Sequence, residues 1–83
     1  MIKNNIFIHP NSKISTSTII EPFSYIDSNV EIGKNCWIGM NCIILKNVII
    51  GDNTVIGAGS VVISNCDPNS VYAGNPAIKI KDI

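Results

Sequence analysis

The chain has 83 residues, a formal charge of zero and 14% charged side chains. That length holds one small domain, which buries a modest share of its surface and gains from association. No basic stripe argues for nucleic acid or an anionic membrane surface, and no apolar run approaches the roughly 20 residues of a membrane-spanning helix. Met1 to Asn5 lack the features of a secretory leader, so the cytoplasm is the expected location.

From the first residues onward the chain repeats. Isoleucine stands at 2, 8, 14, 20, 26, 32, 38, 44, 50 and 56, and Val62 continues the series. A period of six fits neither a helix, at about 3.6, nor a simple strand, at 2. It fits a chain that runs straight, turns a corner and repeats, with one buried aliphatic on each side: an all-β, single-stranded parallel β-helix. Counting each Ile as position one, position five holds Ile6, Ser12, Thr18, Ser24, Val30, Cys36, Cys42, Val48, Thr54, Ser60 and Cys66. These small or β-branched side chains suit a second inward place.

Position four holds Asn5, Asn11, Ser17, Phe23, Asn29, Asn35, Asn41, Asn47, Asn53, Gly59 and Asn65. Asn and Gly accept a left-handed backbone more readily than other residues, so position four is the predicted corner. Ser17 and Phe23 break the rule, and Pro22 precedes Phe23. An altered turn is expected there, with Phe23 pointing outward.

Three hexads make a triangular coil of about 18 residues, giving about three and a half coils. The predicted columns are Ile2, Ile20, Ile38 and Ile56; then Ile8, Ile26, Ile44 and Val62; then Ile14, Ile32 and Ile50. Residues 1–67 form the β-helix. Residues 68–83, punctuated by Pro68 and Pro76, form a turn and a tail that packs on it as a short strand or a fragment of helix.

Three stretches carry a resemblance: Cys36-Trp37-Ile38-Gly39, Val55-Ile56-Gly57-Ala58-Gly59-Ser60-Val61-Val62, and Ala73-Gly74-Asn75-Pro76-Ala77. They are similar to hexapeptide-repeat acyltransferases, nearest to the maltose, galactoside and colanic-acid O-acetyltransferases and the sugar N-acetyltransferases. The resemblance implies a left-handed β-helix, although parallel crossovers are otherwise right-handed. It also implies a homotrimer, acetyl-CoA in the groove between adjacent β-helices, and a sugar or nucleotide-sugar acceptor. It places Gly57, Ala58 and Gly59 beside the pantetheine arm, with Trp37, Gly39, Gly74, Asn75 and Pro76 around the same groove. Lys79 and Lys81 are its candidates for the CoA phosphates, Lys81 being the better positional match because Ile78 occupies the usual basic place.

The family's general base is a histidine, whose pKa lies near working pH. His9 is the single histidine. It falls near the family's base by hexad counting, and it also fits a common opening coil in which the histidine does no chemistry. Two functions stay open: an acetyltransferase, or a shortened, catalytically silent trimerisation module. The cysteines occupy inward positions without a zinc spacing, so buried thiols and no metal are expected. Cys66 is expected above Val48. Gly57-Ala58-Gly59 lacks the helix pattern and lysine of a nucleotide loop.

Overall fold

The structure, a computed structural model, describes the backbone of Ile2 and Lys3 and all of residues 5–83. Short strands alternate with tight turns, and within the repeat each strand pairs in parallel with its counterpart in the neighbouring coil. The first side of the prism stacks β2 (Ile6–Ile8), β5 (Tyr25–Ile26), β8 (Ile43–Ile44) and β11 (Val61–Val62). The second stacks β3 (Lys13–Ile14), β6 (Glu31–Ile32) and β9 (Ile49–Ile50), topped by a parallel bridge from Ile50 to Cys66. The third stacks β4 (Ile19–Ile20), β7 (Trp37–Ile38), β10 (Val55–Ile56) and β12 (Ser70–Gly74). The solenoid therefore has about four turns, half a coil more than the periodicity predicts.

Inside, the isoleucine columns form the core: Ile26, Ile38, Ile44 and Ile56 are fully buried, and Ile50 and Val62 nearly so. Each such side chain taken from water contributes roughly 1.5–3 kcal/mol. Position five supplies a second inward ladder with a polar function. Ser12, Thr18 and Ser24 donate their hydroxyls to the carbonyls of Asp27, Gly33 and Gly39 one coil on. The thiols of Cys36 and Cys42 do the same to Gly51 and Gly57 at 3.1 and 3.2 Å. A small donor at this place can reach the next coil's carbonyl, which explains why Ser, Thr and Cys share it. No buried side-chain N or O atom among the described residues lacks a partner.

Asn29, Asn35, Asn41, Asn47, Asn53 and Gly59 take the left-handed backbone predicted for position four. Phe23 takes it too, at φ 67°, so its turn is not altered; its side chain does point outward, 62% exposed. Asn65 lacks it, and the other departures fall at Asn11 and Ser17. There Ser12 N–H bonds to His9 O and Thr18 N–H to Ser15 O, closing ordinary right-handed turns. At the regular corners, a position-four N–H bonds to a carbonyl of the coil below, as Asn47 does to Ser28 and Asn53 to Lys34. Above Asn11 and Ser17 a side chain replaces that carbonyl: Asn29 N–H bonds to Asn11 Oδ1, and Asn35 N–H to Ser17 Oγ. Asn11 thus keeps the residue type of the corner while changing its turn.

Both ends depart from the repeat. β1 (Ile2–Lys3) runs antiparallel to β2, with Ile2 opposite Phe7, so Ile2 does not join the Ile20 column. At the other end the last coil is two residues short: Cys66 pairs with Ile50 rather than lying above Val48, and Tyr72 pairs with Ile56. Tyr72 is buried over that column, and its hydroxyl accepts the Asp67 N–H at 2.9 Å. β13 (Ala77–Asp82) then folds back antiparallel on β12, so the tail is strand, not helix.

Candidate functional site

Three corners run the length of the prism. The Phe23 corner joins the third side to the first and contains Phe23, Asn41 and Gly59. The Asn35 corner joins the second side to the third. The Asn29 corner joins the first to the second.

Stacking brings most of the predicted groove residues to the Phe23 corner. Trp37 lies on the outer surface of the third side, 40% exposed, between Ile19 below and Val55 above. One step toward the corner, Glu21, Gly39 and Gly57 form a file, each N–H bonded to the coil above through Ile38, Ile56 and Tyr72 carbonyls. A Cβ on Gly39 would sit 2.6 Å from Ala58 N, and one on Gly57 3.1 Å from Ala73 Cβ, so coil packing itself demands glycine at Gly39. Gly59, at φ 73°, is different: a Cβ there would meet nothing within 4 Å. Glycine serves its backbone conformation, and the corner outside it is open. Ala58 is exposed beside it.

The closing signature is tied to the same place. Gly74 N–H bonds to Ser60 Oγ, and Ser60 Oγ–H bonds to Gly57 O at 2.6 Å. Ser60 was legible only as an inward position-five residue; its reach to Gly74 needs the short last coil. Asn75 and Pro76, joined by a cis peptide bond, form the exposed turn between β12 and β13.

The two lysines differ. Lys79 Nζ lies 2.7 Å from Asp82 Oδ1 and 3.5 Å from Asp67 Oδ2. The bond to Asp82 raises the ammonium's pKa and lowers that of the Asp82 carboxyl. Lys79 is thus occupied by two carboxylates. Lys81, opposite Val71, is exposed and enters no ion pair among the described residues.

His9 stands apart from this group. It lies on the Asn29 corner, across the first side from Gly57 and Gly59. Its Nδ1 accepts the Asn11 N–H at 3.3 Å, so the neutral ring carries its proton on Nε2. Asp27, one coil above, turns its carboxylate to the Ser28 N–H at 2.8 Å instead of to the ring. One chain does not bring His9 to the glycine corner.

Away from all these residues, an open trough of about 580 Å³ crosses the second side between Lys13, Glu31, Ile49 and Asp52. Among the described residues, no group of three or more His, Cys, Asp or Glu is arranged to hold a metal ion.

A six-residue repeat wound into three parallel sheets defines a hexapeptide β-solenoid. Residues 29–64 match the family described as bacterial transferase hexapeptide (six repeats), so the repeat of this chain is that of the hexapeptide-repeat transferases. It is similar to a maltose O-acetyltransferase from Clostridium difficile 630, at 32% identity and TM-score 0.62 over 95% of this chain and 59% of that one. It also resembles serine acetyltransferase from Brucella abortus strain S19, at 24% identity and TM-score 0.89 over 94% of this chain and 35% of that one. A third likeness is to the S84C mutant of AntD, an N-acyltransferase from Bacillus cereus solved with dTDP-4-amino-4,6-dideoxyglucose and Coenzyme A. There the identity is 21% and the TM-score 0.83, over 93% of this chain and 55% of that one. A mirror-image winding would not superpose so closely, so the coil sense is that of these proteins. The chain spans 35–59% of the length of these relatives. No curated protein matches it significantly.

Proposed function

We propose that the chain acts as a homotrimer, binds acetyl-CoA between neighbouring prisms, and transfers the acetyl group to a sugar or nucleotide-sugar. The observation that carries this is the alignment of Trp37, Gly39, Gly57, Ala58, Gly59 and Gly74 along one edge of the prism. A narrow arm can lie on such an edge because nothing projects from its glycines. Lys81, free of carboxylates among the described residues, suits the phosphates at the upper end better than Lys79.

Assembly is supported by the outer surfaces. The first side shows Phe7, Tyr25 and Ile43, and the third Ile19 and Trp37, all 36–57% exposed. Two contiguous apolar sides on so small a chain favour burial against a copy. Only a neighbouring copy would bring His9 to the glycine corner. Three unpaired thiols suit the reducing cytoplasm in which we place the protein.

Bound acetyl-CoA would supply an activated thioester carbonyl. The acceptor oxygen or nitrogen bonds to that carbon, the carbon–sulfur bond breaks, and the acceptor's proton passes to a base and ends on the departing thiol. His9 is the proposed base, and its Nδ1 would have to release the Asn11 amide for the ring to present a lone pair outward.

Titration of the full chain with acetyl-CoA, with light scattering for mass, tests binding and trimer together. Release of CoA thiol is then compared between wild type and His9→Ala, with a loss of 10²-fold or more expected for a general base. Unchanged release removes His9 from the reaction. A second reading, a silent trimerisation module, is favoured by the engaged His9 Nδ1. It predicts a trimer with no turnover on any sugar.

A further inference from the structure

The register of the third side and its corner lays out a grid. Beneath Val71 and Ala73, the rows read Val55, Gly57, Gly59; then Trp37, Gly39, Asn41; and lowest Ile19, Glu21, Phe23. Rows are spaced by roughly 4.8 Å, the distance between paired strands. In the two upper rows the middle place is bare glycine. In the lowest row it carries a carboxylate, and the corner beside it carries an aromatic ring.

Phe23 is anomalous on two counts. Among the described positive-φ residues other than glycine it is the single one that is not Asn. A bulky side chain in that conformation is a genuine outlier, disfavoured by roughly 1–2 kcal/mol. The ring recovers little of this through packing, being 62% exposed. The corner is nevertheless held firmly: Phe23 N–H bonds to Asn5 O at 2.8 Å, and Asn41 N–H to Pro22 O at 3.0 Å. Asn at this place would satisfy the same bonds without strain, as it does one row above. Strain kept by a rigid frame at an exposed residue points to function.

Glu21 is half-buried, and among the described residues its carboxylate enters no hydrogen bond or ion pair. Its backbone is fixed by the Glu21 N–H bond to Ile38 O at 2.9 Å.

We infer that Glu21 and Phe23 form the acceptor end of the groove and select an amine-bearing sugar. This rests on the acetyl-CoA assignment, with the phosphates at the Lys81 end, so that the arm descends past Gly57 and Gly39 and its thioester faces the lowest row. There the Phe23 ring offers a flat apolar surface to the C–H face of a pyranose. The Glu21 carboxylate accepts a hydrogen bond from the exocyclic nitrogen and, by its charge, prefers an ammonium to a hydroxyl. Both residues bind and orient; the proton transfer of the reaction is left to the base.

The test uses the full chain saturated with CoA and three probes: dTDP-4-amino-4,6-dideoxyglucose, glucosamine and maltose. Saturation-transfer NMR reads binding without requiring turnover. Wild type should bind an amine-bearing probe at least tenfold more tightly than maltose. Glu21→Gln should remove that preference and leave maltose unchanged. Phe23→Gly keeps the left-handed corner and deletes the ring, so it should weaken every sugar at least tenfold while raising Tm by several degrees. In both variants the Kd for acetyl-CoA should stay within twofold. The inference is overturned if no amine-bearing probe binds, if either variant binds the sugars as wild type does, or if Phe23→Gly dissociates the oligomer, which would make the ring an interface residue. Loss of acetyl-CoA binding by the wild type itself fails the underlying assignment, and the inference with it.

Discussion

The inner and outer surfaces of the prism follow different rules. Inward, the three sides are interchangeable: a branched aliphatic at position one, a small side chain at position five, and the same bonds from coil to coil. Outward, they diverge. The first side shows Phe7, Tyr25, Ile43 and Val61, with the Phe7 and Tyr25 rings 5.0 Å apart. The third shows Ile19, Trp37, Val55 and Val71. The second opposes Lys13 to Glu31 across adjacent strands, below Ile49. The repeat leaves the outward places unconstrained, so assembly and chemistry can be written there without disturbing the core.

Adjacent isoleucines give the most severe test of that contrast. Ile44 is fully buried and Ile43 is 42% exposed, in the same strand. Ile44→Ala should cost about 2–5 kcal/mol in urea unfolding, and Ile44→Asp should prevent folding. Ile43→Ala should change the stability of the isolated chain by no more than about 0.5 kcal/mol. Any larger loss should appear as concentration-dependent association. Equal costs at the two places would break the comparison.

A smaller effect is expected from the inward hydroxyl ladder. Thr54 is fully buried, and its Oγ1–H bonds to Asp67 O at 2.8 Å. Thr54→Val keeps the shape and deletes the donor, so unfolding free energy should fall by about 1–3 kcal/mol. A neutral result would mean that only the shape at position five matters.

The mildest test is pH. Burial, then the nearby Asp67 and Cys36, push the Cys66 thiol up to about 11 from an ordinary 9.0. A raised acid pKa means that the folded chain holds its proton after the unfolded chain has lost it. That contribution is complete below pH 9 and is lost as pH rises toward 11. Denaturation midpoints should therefore fall over this interval in wild type and fall less in Cys66→Ala. Alkylation of folded protein at pH 8 should be slow.

Much of the interior was legible because a six-residue period leaves few alternatives. The Ile26, Ile32 and Ile38 columns and the left-handed Asn corners follow directly from it. What escaped lies where the period carries no information. The sequence pattern puts Ile2 in phase with Ile20, yet pairing direction is set by a hairpin that phase does not encode. Asn11 has the corner residue type, but Pro10-Asn11 closes a right-handed turn and its side chain replaces the missing carbonyl. Tyr72 lies outside the repeat and occupies an isoleucine place only because the last coil is two residues short. The site divides in the same way. Gly39, Gly57 and Gly59 come together because they share a phase, whereas His9, in a neighbouring file, is separated from them by a whole side.

The two antiparallel ends bear on a hazard intrinsic to this architecture. A stack of near-identical coils offers, at each tip, the strand spacing on which cross-β aggregates grow. β1 turned back on β2, and β13 turned back on β12 with its Lys79–Asp82 pair, replace those templates with strands of the wrong direction and with charge. The cover is one-sided at each tip: β1 closes the edge of the first side alone and β13 that of the third, so the second side meets either tip without an antiparallel strand.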